Sequence, residues 1–131
     1  MTSSQNASTD ALPDIDGDQT LQIPKEKPCF AWLVALNGPR RGRLYALRAD
    51  GASVGRSSEN DIIIDDEATS RHHARLYADD DLARPRFFVQ DLASANGTFV
   101  NGERISRQAL SDEDRIVFGE TLFAFKQFQR Q

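Results

Sequence analysis

From Cys29 onward, short apolar runs alternate with polar residues and are broken by Gly, Asn, Asp and Pro at close intervals. Alternation with period two fits half-buried strands, and no stretch keeps a helical period for four turns. The pattern predicts strands over Phe30–Asn37, Arg43–Leu47, Ser53–Gly55, Ile62–Ile64, Ala74–Tyr77, Arg86–Asp91, Thr98–Val100, Glu103–Ile105, Arg115–Phe118 and Thr121–Phe128. Asn37-Gly38-Pro39 closes the first of these, and Asp112–Asp114 reads as a polar turn feeding a strand. Asn101-Gly102 separates two short strands with the residue pair that accepts positive φ in a type I′ hairpin. Many short strands with turn chemistry between them point to an all-β sandwich or barrel.

Residues 1–27 break this texture. They are rich in Ser, Thr, Asp, Gln and Pro, hold no aromatic residue, and carry scattered aliphatics such as Leu12, Ile15, Leu21 and Ile23. Such a segment has too little apolar surface to offset the entropy of ordering, so residues 1–27 read as a disordered acidic, polar tail and residues 28–131 as one domain. Five carboxylates against two lysines put −3 of the chain's −4 formal charge in this tail. The remainder is close to balanced, which argues against a general nucleic-acid or anionic-membrane binder. The start of the chain lacks a charged region followed by an apolar one, and no run approaches a membrane span, so the expected location is cytoplasmic.

Three polar segments fall at strand ends, where turns alone do not need them: Gly55-Arg56-Ser57, Ser70-Arg71-His72-His73 and Ser94-Ala95-Asn96-Gly97-Thr98. In a sandwich they could gather at one edge. Arg56 and Arg71 offer planar forks of donors, Ser70 a hydroxyl, and Asn96 an amide that both donates and accepts along an extended peptide. Together they suit a phosphate group carried on a peptide.

Competing chemistry is weaker. Cys29 is the single cysteine, and His72 and His73 are neighbours whose side chains point apart, so neither disulfide nor metal site is expected. Ser70 and His73 lack an orienting carboxylate at a recognisable spacing, so no enzyme and no cofactor are expected. Asn96-Gly97-Thr98 and Asn6-Ala7-Ser8 fit the glycosylation sequon but follow no secretory signal. Pro39-Arg40-Arg41-Gly42-Arg43 forms a basic knot without interleaved aromatics, which reads as a solvated turn.

Gly55-Arg56-Ser57, Asn60-Asp61-Ile62, Ser70-Arg71-x-His73-Ala74 and Asn96-Gly97-Thr98-x-Val100-Asn101-Gly102 occur in one order over roughly residues 30–128. On these motifs the chain resembles the forkhead-associated (FHA) domain, in the form of a small bacterial member with an N-terminal tail. The resemblance implies a β-sandwich of two mainly antiparallel twisted sheets with recognition loops at one edge, and binding of phosphothreonine peptides. It assigns Arg56 and Ser70 to the phosphate, Arg71 to a supporting role through its N–H and guanidinium, and Asn96 to the peptide main chain. Gly55, His73, Gly97 and Thr98 support these residues, His73 by bracing the Ser70 loop from inside. Ala95 lacks the polar group some members use near the phosphate. Ala68 stands where a charged residue can read the third position after the phosphothreonine, so an aliphatic residue is expected there.

The implied partners are phosphothreonine-containing proteins and a Ser/Thr kinase or its substrates, with neither nucleic acid nor membrane. In the tail, Thr20 follows Asp14, Asp16 and Asp18 and precedes Leu21-Gln22-Ile23, as a kinase acceptor with an aliphatic third residue. Phosphorylated Thr20 is a candidate occupant of the same pocket. A scaffold that uses a sheet face without phosphate is the alternative function.

Overall fold

The computed structural model describes residues 29–79 and 85–128; the tail read at residues 1–27, with Thr20, lies outside the described residues. The described strands in chain order are β1 (Cys29–Ala35), β2 (Leu44–Arg48), β3 (Ala52–Gly55), β4 (Ile62–Ile63), β5 (Ala74–Ala78), β6 (Phe87–Asp91), β7 (Thr98–Val100), β8 (Glu103–Ile105), β9 (Arg107–Ala109), β10 (Arg115–Phe118) and β11 (Thr121–Lys126). They form a six-stranded sheet in the order β2-β1-β11-β10-β7-β8 and a five-stranded sheet in the order β4-β3-β5-β6-β9. Neighbours pair antiparallel except β3 with β4, which run parallel. The all-β sandwich expected from the sequence is what forms. Among the described residues no helix is long and apolar enough to cross a membrane.

Alternation decides which face of each strand is buried. Ala31, Leu33 and Ala35 of β1, Ile116 and Phe118 of β10, and Phe123 and Phe125 of β11 point inward from one sheet. Val54 of β3, Ala74 and Leu76 of β5, and Phe87 and Val89 of β6 meet them from the other. Phe87 and Phe125 join the layers with ring centroids 5.9 Å apart. Each fully buried aromatic or branched side chain here contributes about 1.5–3 kcal/mol of transfer free energy.

The hairpins follow the turn chemistry. Asn101 and Gly102 both have positive φ, at 52° and 86°, and join β7 to β8. This is the conformation a type I′ turn demands. Asn37, expected inside the first strand, lies beyond its end: its amide donates to the Glu120 carbonyl and accepts from the Leu122 N–H. The strand β9 was not expected, because Arg107-Gln108-Ala109 has no apolar alternation. It exists through its pairing with β6, as the edge of the five-stranded sheet.

Candidate functional site

The three polar segments do gather at one edge, and His73 holds them there. Its ring is fully buried, at 0% exposure. Nδ1 accepts the Ser70 N–H at 2.9 Å, which leaves Nε2 to carry the proton and donate to the Gly97 carbonyl at 2.9 Å. Its own backbone accepts from the Leu92 N–H and donates to the Val54 carbonyl. One residue therefore ties β3, the loop before β5 and the loop before β7 to each other. The ring also packs edge-on against Phe118, with centroids 5.8 Å apart. His72 faces the other way, exposed, with Nε2 4.0 Å from Glu59. The two histidines do not share a ligand, and no group of three metal-ligating side chains occurs among the described residues.

Arg56 leaves the end of β3 and is oriented twice. Its N–H donates to the Ser70 carbonyl at 3.0 Å, and its Nε donates to the Thr69 carbonyl at 3.0 Å. With Nε engaged, the terminal nitrogens of the exposed guanidinium remain available to an anion. Ser70 Oγ accepts the Ala95 N–H at 2.9 Å, so the hydroxyl keeps its own hydrogen to donate. The carbonyl of Arg71 accepts from Ser57 N–H and Asn60 Nδ2, while its side chain is exposed and meets no described partner. Asn96 Nδ2 donates to the Ala68 carbonyl at 2.7 Å, leaving Oδ1 and one N–H outward. Arg56, Ser70 and Asn96 are thus brought together by direct links between the loops, with Arg71 beside them.

Space requires the glycine at position 55, and backbone dihedral favours the one at position 97. A Cβ on Gly55 would lie 2.2 Å from the Arg71 carbonyl oxygen and 2.8 Å from Asn60 Nδ2. Gly97 has φ +90°, its N–H donates to Ser94 Oγ, and its carbonyl is the one His73 holds. Thr98, expected in support, is buried and donates to Asp91 Oδ1 at 2.8 Å.

Two carboxylates that the motif reading passed over organise the loops from behind. Asp91 accepts from the Ser94 hydroxyl at 2.5 Å, the Ser94 N–H and the Thr98 hydroxyl. Burial pushes its carboxyl up, but these hydrogen bonds outweigh burial and hold it below the usual carboxylate value. Asp66 accepts from the Ala68 and Glu120 N–H groups and the Thr121 hydroxyl, clamping the loop that carries Thr69 and Ser70 to the β10–β11 turn. Here too burial raises the carboxyl and the hydrogen bonds win, so its pKa is lowered. Asp91-x-x-Ser94 and Asp66-x-Ala68 are spacings of local side-chain turns, the one signal in the sequence that points to them.

The basic knot is structural: Arg40 pairs with Asp65 at 3.0 Å, and Arg43 lies over the Tyr45 ring.

The FHA domain family model matches residues 52–119. The chain is 35% identical over 98 residues to the glycogen accumulation regulator GarA of Mycobacterium tuberculosis H37Rv, an alignment covering 75% of this chain and 58% of that protein. It is 36% identical over 93 residues to the oxoglutarate dehydrogenase inhibitor of Corynebacterium diphtheriae, covering 71% of this chain and 62% of that one. The chain therefore spans less than two thirds of the length of these relatives. Among solved structures, Mycobacterium tuberculosis EmbR in complex with a low affinity phosphopeptide superposes with a TM-score of 0.66 at 34% identity, over 79% of this chain and 26% of that one.

Proposed function

This chain belongs to the FHA domain family, and from that premise we propose that it is a non-enzymatic phosphothreonine reader in which Arg56, Ser70, Arg71 and Asn96 contact the ligand. The observation that carries this reading is the pre-set orientation of Arg56: Nε is occupied by the Thr69 carbonyl, beside a Ser70 hydroxyl that accepts from Ala95 and retains its hydrogen. Donors fixed before binding lose little freedom when the anion arrives. A phosphothreonine adds about −1.5 to −2 charge and three acceptor oxygens, which is the chemistry such donors detect. Asn96 takes the peptide backbone and sets its direction.

Arg56→Ala removes charge-assisted hydrogen bonds of about 1.5–3 kcal/mol. Affinity for a phosphothreonine peptide should fall by roughly tenfold to 150-fold, with the sandwich still folded and stability lowered only by the lost Thr69 hydrogen bond, about 0.5–1.5 kcal/mol. Undiminished binding in the variant, measured by calorimetry, sinks this assignment.

The names of the relatives, a regulator and an inhibitor, support a regulatory role, and a phosphothreonine ligand would make this chain an adaptor downstream of a Ser/Thr kinase. Residues 1–27 are proposed as a regulatory tail, with Thr20 as acceptor and its phosphorylated form competing with outside partners for the pocket. Chemically phosphorylated Thr20 protein should then show loop resonance shifts that disappear in Arg56→Ala. Spectra identical to those of the unmodified chain exclude this.

The alternative is a scaffold that needs no phosphate, and one observation favours it. Trp32, Val34, Leu44 and Phe128 form an apolar strip on the outer face of the six-stranded sheet, beside Asp112, Glu113, Arg115 and Lys126, with Leu44 61% and Phe128 83% exposed. Extended apolar faces of this kind mark contact surfaces. Phosphatase treatment of an extract before pull-down decides between the two: a scaffold keeps its partners and a reader loses them.

A further inference from the structure

Arg104 stands on β8, opposite Phe99 of β7, and its side chain runs to the start of that hairpin. There its guanidinium lies against Gly97. A Cβ built on Gly97 would come 2.8 Å from Arg104 Nε, 3.0 Å from Cζ and 3.3 Å from one terminal nitrogen. The residue is exposed, and it forms no ion pair or hydrogen bond with any described residue, although the chain as a whole carries a net −4. An exposed arginine packed on backbone keeps its guanidinium donors available to a ligand. Gly97, on which Arg104 packs, directly follows Asn96, the residue assigned to the peptide main chain.

We propose that Arg104 forms a second anionic subsite, taking an acidic group of the bound phosphopeptide close to the phosphothreonine. The proposal rests on the phosphothreonine reading above. Ala95, whose N–H meets Ser70 Oγ, and Gly97, which carries Arg104, are two residues apart. That separation is at most about 7 Å, which puts the acidic group within a few residues of the phosphothreonine along the bound peptide. A guanidinium fork suits a carboxylate or a second phosphate, and its packing on Gly97 restricts the rotamers that binding would otherwise have to freeze. The glycine at position 97 thus serves two ends: it adopts φ +90° and it leaves the surface on which the arginine rests.

A purely local role, in which the stem of Arg104 merely covers Phe99, is separated by a substitution that keeps the stem. Phosphothreonine peptides with Ala, Asp or phosphoserine at each of the three positions before and after the phosphothreonine are titrated into the full chain and into Arg104→Gln. In the parent protein an acidic residue at one position should strengthen binding about fivefold to tenfold. Arg104→Gln should erase that gain while binding the all-Ala peptide within about twofold of the parent and melting at the same temperature. The Asp and phosphoserine arms show whether a carboxylate suffices or a phosphate is preferred. An acidic preference that survives in Arg104→Gln, or an equal loss for acidic and neutral peptides, overturns the subsite. Arg56-dependent binding with no acidic preference overturns it and leaves the phosphothreonine reading standing; failure of every phosphopeptide to bind the parent overturns both.

Discussion

Asn96-Gly97 and Asn101-Gly102 are the same dipeptide five positions apart, and the fold uses them in opposite ways. Both glycines have positive φ, 90° and 86°. At Gly102 a Cβ would meet nothing within 4 Å, and Asn101 is itself left-handed, so that pair is a hairpin turn in open solvent. At Gly97 the backbone is gripped on both sides, by Ser94 Oγ and by His73, and an arginine is packed against it. The side chains diverge too: Asn96 reaches across to the Ala68 carbonyl, whereas Asn101 donates to Asp114 and accepts the Arg115 N–H. Asn101 is therefore more than a turn former, since it also ties the hairpin to β10. Local chemistry makes both pairs bend; what surrounds each bend decides whether it is architecture or a ligand contact.

The largest difference between the two regions should come from the residue under one of them. His73→Ala opens a buried cavity and orphans the Ser70 N–H and the Gly97 carbonyl, for a loss of about 3–5 kcal/mol in chemical denaturation. Nothing comparable lies beneath Asn101-Gly102. Next, Asn96→Ala should weaken phosphopeptide binding about tenfold or more with little change in stability, while Asn101→Ala should leave binding intact and cost about 1–2 kcal/mol of stability, from two lost hydrogen bonds and a strained φ. Equal binding losses in the two variants would dissolve the distinction between them. Gly97→Ala and Gly102→Ala should each cost about 1 kcal/mol for the left-handed backbone. The clash at Gly97 is with the far end of a flexible side chain, so its extra effect should appear in acidic-peptide selectivity and not in the melting point.

The smallest expected effect is on acid stability. Asp66 and Asp91 ionise more readily in the folded chain than their ordinary value of 3.8. Their contribution is complete above that value and is lost as pH falls from about 4 through the lowered folded values. The parent should lose melting temperature between pH 5 and pH 2 more steeply than an Asp66→Asn/Asp91→Asn double variant, which scanning calorimetry can follow. Parallel curves would show that these carboxylates do not anchor the loops.

Much of this was legible in the chain. Ten strands were placed from alternation because inward positions of a sandwich must be apolar and successive side chains point to opposite faces. β9 was not, since Arg107-Gln108-Ala109 is a strand only by virtue of its partner β6. Arg56, Ser70 and Asn96 stand out by residue type at strand ends and His73 through the FHA resemblance, and the three segments carrying them meet at one edge. The Thr69 and Ala68 carbonyls that orient Arg56 and Asn96 left no trace, because every residue has a carbonyl and only folding selects which one is used. Arg104 was equally invisible, being one arginine among several until its contact with Gly97 sets it apart.

Local sequence sets all the strands but β9, the turns and the donor types available for an anion, since these depend on side-chain chemistry and on intervals of a few residues. Tertiary structure alone decided which donors remain free. A hydrogen bond between loops far apart in the chain consumes one N–H of Arg56 or Asn96 and thereby aims the rest, and that selection depends on distances no local pattern encodes.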